Sequence, residues 1–334
     1  MQAETRALWR IYHDEIPPIL RELMQTPPMQ RLQTVGMNCG CEYTRFPRFL
    51  QLRPYSRFDH SVGVGLIVWH FTQDEKQAAA GLLHDVATPT FSHVVDFLRG
   101  DHLTQESTEA GTEEMIDACT QIQDVLQTHG LTTGDVCDYH RYPIADNDSP
   151  RLSADRLEYT LGNILSFNLG DCNEVQMLYE DIRVGENEIG QPELVFLHAE
   201  RAAQFAARAL TCSRVYVSDE DRYAMQMLAE LLKDAIDAGV LSEYDLMGDE
   251  PRLLEKLCRT PIWRARWKAF CAMQALERTD TPAGDGWRRI DAKRRCIDPL
   301  IAGQGRVSAC DPAFGAALDE FRTASLDVWL RGKA

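Results

Sequence analysis

Four side chains in the sequence could together bind one divalent metal ion. His60 lies in "SRFDHSVGV", His84 and Asp85 are adjacent in "GLLHDVATPTFSH", and Asp155 lies in "RLSADRLEY". Imidazole nitrogen and carboxylate oxygen suit Fe, Mn, Co, Ni, Zn or Mg. Two imidazoles and two carboxylates leave positions open for water and a substrate oxygen, so the ion can act as a Lewis acid and lower the pKa of that water. The predicted chemistry is hydrolysis by a metal-activated water.

Each of these residues lies beside an apolar stretch with helical spacing. His60 precedes "SVGVGLIVW", and the pair of His84 and Asp85 follows "QAAAGLL". An unpaired charge at the inner end of a buried helix is costly, and a bound cation would remove that cost. Any one of the four residues, taken alone, is more simply explained as a helix cap or a local hydrogen-bonding group. The four in this order favour a metal site.

Apolar residues recur at helical spacing along most of the chain, as in "AERAAQFAARAL" and "RYAMQMLAELLKDAIDAGVL". This pattern predicts an all-α, mainly helical fold with a small β accessory near the C-terminus, where β-branched runs flank Gly303 and Gly305. The predicted organisation is a catalytic core over residues 1–183, a helical extension of that core over 184–280, and a small α+β region over 281–334.

Composition excludes several classes of function. A formal net charge of −16 over 334 residues disfavours a general nucleic-acid binder, which would need surplus Lys and Arg to neutralise phosphates. No apolar run is long enough to span a membrane, and the N-terminus does not resemble a signal peptide. The ten cysteines include no CxxC pair, and "CGC" at Cys39 to Cys41 is weak evidence for zinc. We therefore expect a cytoplasmic protein with free thiols and no membrane partner.

Two basic segments that contain tryptophan, "CRTPIWRARWKAF" and "GWRRIDAKRR", are the places where cations cluster. They could form a stacking surface for nucleotides or single strands. The alternative is an amphipathic helix whose tryptophans are buried and whose cations are solvated or meet an acidic subunit surface. The acidic net charge favours this second interpretation.

As a set, the motifs resemble the HD superfamily of metal-dependent phosphohydrolases. The nearest branch is the deoxynucleoside triphosphate triphosphohydrolases, comprising the dGTPases and their SAM-and-HD-domain relatives. Their segments "NRFEHSLGV", "HDxGHGPFSH" and "ADRLDYLLRD" are matched here by "SRFDHSVGV", in part by "HDVATPTFSH", and by "ADRLEYTLGN". The likeness covers most of the first two-thirds of the chain, which would be a divergent sister lineage.

The resemblance implies a nucleotide phosphohydrolase with an HD-domain fold and one divalent ion. Its metal ligands would be His60, His84, Asp85 and Asp155, and Asp85 would also be catalytic. Homo-oligomers are common among such relatives, so a homo-oligomer is possible here by analogy.

The resemblance also implies roles for three further residues. Arg57 would contact the substrate phosphates, His93 would act as a general acid or orient the attacking water, and Tyr159 would contact the nucleotide. The alternatives are a surface charge for Arg57, a hydrogen-bonded core histidine for His93, and core packing for Tyr159.

This sequence departs from the family pattern at several positions. Two family histidines are replaced by Thr88 and Gln105, Met37 stands in a segment that touches the sugar, and Asn163 replaces a substrate-contacting aspartate. These changes predict altered recognition of a small-molecule nucleotide. They leave open a nucleoside monophosphate phosphatase, a cyclic nucleotide phosphodiesterase, and a catalytically quiet module that senses nucleotides.

Overall fold

The computed structural model describes residues 3–100 and 111–333, and this part of the chain is mainly helical, as predicted. The helices are α1 (Ala3–Tyr12), α2 (Pro18–Leu23), α3 (Pro27–Arg31), α4 (Arg57–Thr72), α5 (Glu75–Leu83), α6 (Val94–Arg99), α7 (Thr112–Ala118), α8 (Thr120–Thr128), α9 (Thr133–Val136), α10 (Ala154–Ser166), α11 (Cys172–Glu180), α12 (Ala199–Tyr216), α13 (Asp219–Asp237), α14 (Glu243–Leu246), α15 (Glu250–Leu257), α16 (Pro261–Cys271), α17 (Val307–Cys310) and α18 (Pro312–Thr323). None of these helices is long and apolar enough to cross a membrane.

In the described residues, seven short strands form two sheets. They are β1 (Ile182–Glu186), β2 (Pro192–Phe196), β3 (Leu276–Thr279), β4 (Arg288–Arg289), β5 (Leu300–Ile301), β6 (Gly305–Arg306) and β7 (Trp329–Gly332). The strand orders are β1-β2-β5-β6 and β3-β7-β4.

The prediction that the β structure lies near the C-terminus is only partly right. Strands β1 and β2 form an antiparallel hairpin in the middle of the chain, with Ile182 opposite Phe196. Strand β2 then pairs in parallel with β5, with Val195 beside Leu300. A partner strand about a hundred residues away in the sequence leaves no local signal.

Close packing of α4 against α5 sets the framework of the site. Both helices are largely buried. At Gly65, a Cβ atom would lie only 3.1 Å from the Leu82 Cβ and 3.2 Å from the Ala78 carbonyl oxygen, so glycine permits the backbones to approach this closely. The first turn of α4 therefore lies near the end of α5.

Local capping fixes where α4 and α10 begin. Ser56 accepts a hydrogen bond from the Asp59 backbone N–H at 3.2 Å and the Asp59 carboxylate accepts from the Ser56 N–H at 3.1 Å, which is a capping box. Ser153 caps α10 by accepting from the Arg156 N–H at 3.2 Å. These caps place His60 and Asp155 in the first turns of their helices.

The described chain contains two hydrophobic clusters. The first holds residues of α4, α5, α10 and α12, together with α17 and α18 from the C-terminal part. The second holds residues of α13, α15 and α16, together with β7. The C-terminal part thus contributes to both clusters, and the division at residues 183 and 280 stays a prediction.

Candidate functional site

Three of the predicted metal ligands converge on one point. Potential ligand atoms of His60, His84 and Asp155 all lie within 4.8 Å of one another. The Asp155 Oδ1 lies 3.0 Å from the His60 Nε2 and 3.6 Å from the His84 Nε2. The ends of three helices, α4, α5 and α10, therefore bring together side chains that are up to 95 positions apart in the sequence.

Hydrogen bonds at the far side of each imidazole fix its orientation. The His84 Nδ1 lies 2.8 Å from the Gly81 carbonyl oxygen, which can only accept, so Nδ1 donates. The His60 Nδ1 lies 2.6 Å from the Glu158 carboxylate in the same manner. In both rings Nε2 is left to face the cluster, which is the arrangement that metal-binding histidines adopt.

The charges of the cluster suit a cation. Burial alone would lower the pKa of His60, but hydrogen bonds to Asp155 and Glu158 raise it to about 10. Burial alone would raise the pKa of Asp155, but its hydrogen bond with His60 and the nearby imidazoles lower it to about 2. The carboxylates thus stabilise a positive charge at the imidazole, and either a proton or a metal ion supplies that charge.

Asp85, the fourth predicted ligand, lies beside this cluster and is held by other groups. Its Oδ2 is 3.7 Å from the His84 Nε2 and 4.0 Å from the His60 Nε2. The same Oδ2 accepts from the Arg57 Nη1 at 2.8 Å, and its Oδ1 accepts from the Thr88 hydroxyl at 2.7 Å. Although burial opposes it, the Arg57 charge keeps the pKa of Asp85 far below its usual range. Its role as a ligand stays a prediction.

Arg57 is buried, with 7% of its surface exposed, and is not a surface charge. Its Nε donates to the Ser92 hydroxyl at 3.0 Å, and its Nη1 holds Asp85. The guanidinium therefore joins the start of α4 to the loop after α5. Contact with a substrate phosphate stays a prediction.

His93 is oriented by groups on both sides of its ring. Its Nδ1 donates to the Asp96 carboxylate at 2.9 Å, and its Nε2 lies 3.3 Å from the Arg295 Nη2, so that Nε2 accepts. Burial lowers the pKa of His93 to about 4 despite the Asp96 hydrogen bond. A neutral ring with an accepting Nε2 favours the predicted role in orienting water over that of a general acid at neutral pH.

All of the predicted site residues line one cavity of about 310 Å³. Within it, the Asn163 side-chain amide donates to the Tyr216 hydroxyl at 2.7 Å, and the rings of Tyr159 and Tyr216 lie 6.3 Å apart. The buried Asn163 Oδ1 has no hydrogen-bond partner among the described residues. The predicted residues that line the cavity are Met37, Arg57, His60, His84, Asp85, His93, Asp155, Tyr159 and Asn163.

Known proteins with related sequences support the same chemistry. No model of a known protein family matches the chain. The protein named metal-dependent phosphohydrolase cns2 from Cordyceps militaris is 27% identical over 316 residues, which cover 88% of this chain and 84% of cns2. The deoxynucleoside triphosphate triphosphohydrolase SAMHD1 of Gallus gallus is 26% identical over 140 residues, covering 36% of this chain and 22% of SAMHD1.

The chain is thus similar to metal-dependent phosphohydrolases, as a divergent relative of the HD superfamily would be. The prediction of a hydrolase is confirmed with it. A solved structure of a hypothetical protein from Aquifex aeolicus has the same fold, with a TM-score of 0.62 and 18% identity over 95% of this chain and 92% of that one.

Sequence analysis missed Glu158, which is fully buried. Besides the His60 imidazole, its carboxylate accepts hydrogen bonds from the hydroxyls of Tyr12, at 3.3 Å, and Tyr55. The signal was present in "ADRLEY", because an acid three residues after Asp155 lies on the same face of α10. Glu158 thus lies behind the predicted metal ligands and orients one of them, His60.

The interpretation of the basic segments as an amphipathic helix is right for the first and wrong for the second, which contains strand β4 and no helix over residues 286–295. In the first, Trp263 is buried and Trp267 packs against Tyr43 and Phe270, as expected for an amphipathic helix. From the segment "GWRRIDAKRR", however, three cations line the cavity, namely Lys293, Arg294 and Arg295. Pairing of β5 with β2 returns the chain to the core, which local sequence does not reveal.

The structure describes Thr88 and the two cysteines of "CGC", but not Gln105. Thr88 is fully buried and its hydroxyl donates a hydrogen bond to Asp85, so it has a structural role. Gln105 lies outside the described residues. Cys39 lines the cavity, while the Cys41 thiol contacts Asp221, and both thiols are free.

Proposed function

We propose that this protein hydrolyses a phosphate group of a nucleotide, using one divalent metal ion held by His60, His84 and Asp155. The observation that carries this proposal is the convergence of these three ligand groups in a cavity that is also lined by cations. Asp85, which lies within 4.0 Å of both imidazoles, would complete the ligand set. The names of the related proteins support the same class of reaction.

The residues present fit such an ion. The two Nε2 atoms and the Asp155 carboxylate form a mixed nitrogen and oxygen donor set, which suits Fe, Mn, Co, Ni, Zn or Mg. Hydrogen bonds to Gly81 and Glu158 already hold both imidazoles in the tautomer that ligation requires. When bound, the ion would supply Lewis acidity toward a phosphoryl oxygen and acidify the attacking water.

The chain's own groups would orient the reactants. Arg57 holds the Asp85 carboxylate at the cluster, and its neutralising charge keeps that carboxylate ionised. The His93 Nε2 is an acceptor and would take a hydrogen bond from the attacking water and so orient it. Tyr159 and Asn163, on one helix, would contact the nucleoside.

Within this class we favour a reaction like that of a deoxynucleoside triphosphate triphosphohydrolase. The support is the partial similarity to SAMHD1, which covers 36% of this chain. A nucleoside monophosphate phosphatase and a cyclic nucleotide phosphodiesterase would use the same ligand set. The released product distinguishes them, because only the first reaction yields inorganic triphosphate.

The test is metal analysis of the purified protein, followed by a screen on nucleoside mono-, di-, tri- and cyclic phosphates with product identification. The variants are His84→Ala with Asp85→Ala, and Asp155→Ala. The matched control is His198→Ala, because His198 is also hydrogen-bonded to an aspartate, Asp181, but does not line the cavity.

About one metal ion per chain, lost in the ligand variants together with a hydrolytic activity and retained in the control, would support the proposal. Bound metal without turnover of any nucleotide would refute hydrolysis of nucleotides and favour a nucleotide sensor. Absence of metal from every preparation, including protein loaded with each candidate ion, would refute the metal site itself.

A further inference from the structure

The chain between β4 and β5 carries three consecutive cations to the cavity wall. We call residues 292–297 the basic segment, in which Lys293, Arg294 and Arg295 line the cavity. On either side of them, Ala292 and Ile297 are buried in the same hydrophobic cluster as α4 and α10. The segment is therefore part of the core that carries the metal ligands.

Hydrogen bonds also tie the end of the basic segment to the loop before α10. The Ser149 hydroxyl donates to the Cys296 carbonyl oxygen at 3.0 Å, and the Asp298 N–H donates to the Pro150 carbonyl oxygen at 2.9 Å. This loop leads directly into the helix that carries Asp155. The cations of the segment consequently hold a defined position relative to the metal cluster.

Arg295 differs from the arginines that helices α4 and α10 contribute to the cavity wall, because it forms no ion pair with a described carboxylate. Arg57 forms an ion pair with Asp85 at 2.8 Å, and Arg156 forms one with Asp146 at 2.8 Å. Across residues 3–100 and 111–333, no carboxylate lies within salt-bridge distance of the Arg295 guanidinium, so its charge is not consumed by an ion pair.

The contact that Arg295 does make is one that an anion can replace. Its Nη2 lies 3.3 Å from the Nε2 of neutral His93, and a phosphate oxygen is a stronger acceptor for guanidinium than a neutral imidazole nitrogen. Asp221 also lines the cavity, but burial raises its pKa to about 8. This carboxyl is therefore mostly protonated at pH 7 and leaves the Arg295 charge available.

We propose that Arg295 binds a phosphate group of the substrate, and that a phosphate oxygen replaces the His93 Nε2 as the acceptor of its guanidinium. Lys293 and Arg294 add positive charge to the same wall. The identity of the ligand as a phosphorylated nucleotide rests on the proposed function. The inference extends that function by assigning phosphate binding to a segment far in sequence from the metal ligands.

The first experiment measures binding of inorganic pyrophosphate to the purified protein by calorimetry. We expect wild type to bind, Arg295→Gln to bind about 10- to 100-fold more weakly, and Arg295→Lys to fall between them. Arg289→Gln is the matched control, because Arg289 is exposed, pairs with Asp327, and does not line the cavity. Thermal unfolding of each variant checks that the fold is retained.

The second experiment follows the His93 Nε2 by ¹⁵N NMR. Pyrophosphate should shift this resonance in wild type and in Arg289→Gln, but not in Arg295→Gln. Absence of pyrophosphate binding to wild type, or equal affinity in Arg295→Gln, would overturn the proposal.

These outcomes are separable from those for the proposed function. Pyrophosphate binding that depends on Arg295, without turnover of any nucleotide, would support the phosphate site and refute the hydrolase. Turnover with an unchanged KM in Arg295→Gln would overturn the role of Arg295 and leave the hydrolase intact.

Discussion

The Glu158 Oε2 lies 2.6 Å from the His60 Nδ1, although the two residues are 98 positions apart in the sequence. Glu158 lies on α10, three residues after Asp155, and His60 lies on α4. A single pair of helices thus supplies two of the predicted ligand groups and the group that orients one of them. Outer carboxylates of this kind fix the tautomer and raise the basicity of a ligating imidazole.

We expect Glu158→Gln to weaken metal binding by about 10- to 100-fold, because the amide keeps a hydrogen bond to His60 but loses the charge. The measurement is competition with a chelator. Glu193→Gln is the control, since Glu193 is also fully buried but is paired with Arg306 outside the cavity. Equal metal affinity in Glu158→Gln and wild type would contradict the role of Glu158.

Gly63→Ala should destabilise the fold and the metal site together. A Cβ atom at residue 63 would lie 2.5 Å from the Glu158 Cγ and Oε1, so the carboxylate must shift. We expect a loss of about 1–3 kcal/mol in the free energy of unfolding, with reduced metal affinity. The control is Gly134→Ala on α9, where the nearest atom is 3.9 Å from the added Cβ, and which should leave metal binding unchanged.

Arg57→Ala should leave Asp85 buried without its cation. Removing one partner of a buried ion pair costs about 3–5 kcal/mol, and denaturant unfolding would measure this loss. Arg289→Ala, which breaks an exposed pair with Asp327, should cost about 1 kcal/mol or less. Similar losses in the two variants would show that the Arg57 pair is not an important part of the fold.

Acid should destabilise the metal-free protein through His93. Its pKa is about 4 in the folded state against about 6.5 when unfolded, so between these values the unfolded chain binds the extra proton. The stabilisation from neutral His93 is therefore present above pH 6.5 and is lost as the pH falls to 4, amounting to at most about 3 kcal/mol.

The groups that face His93 set this behaviour. Asp96 favours protonation, whereas Arg295 and Arg57 oppose it. His93→Asn, whose amide can still donate to Asp96, should flatten the dependence of unfolding free energy on pH between 4 and 6.5. Denaturant unfolding of both proteins at pH 4.5 and 7 would measure the difference, and an unchanged slope would contradict the assignment.

The sequence predicted the helical fold through local periodicity, and it predicted the convergence of His60, His84 and Asp155 through the set of motifs that resembles the HD superfamily. Asp85 was predicted as an equal ligand, but a motif does not show that Arg57 and Thr88 share its oxygens. That sharing depends on how the start of α4 meets the loop after α5, which is a tertiary contact.

The pairing of β2 with β5 and the position of the basic segment escaped prediction for one common reason. Strand β5 lies about a hundred residues after β2, and their pairing carries Lys293 to Arg295 back to the cavity. Composition alone suggested solvated cations, because net charge describes the whole chain and not the neighbours of one segment. The position of the basic segment in the fold, and not its composition, places its cations at the cavity wall.

The pairing of β5 with β2 also brings together groups of the site that are synthesised at different times. All predicted metal ligands have been synthesised once residue 155 leaves the ribosome, but Arg295 follows 140 residues later. Long-range pairings of this kind raise the contact order and form late in folding. A nascent chain consequently contains every metal ligand well before it contains the wall that would attract anions.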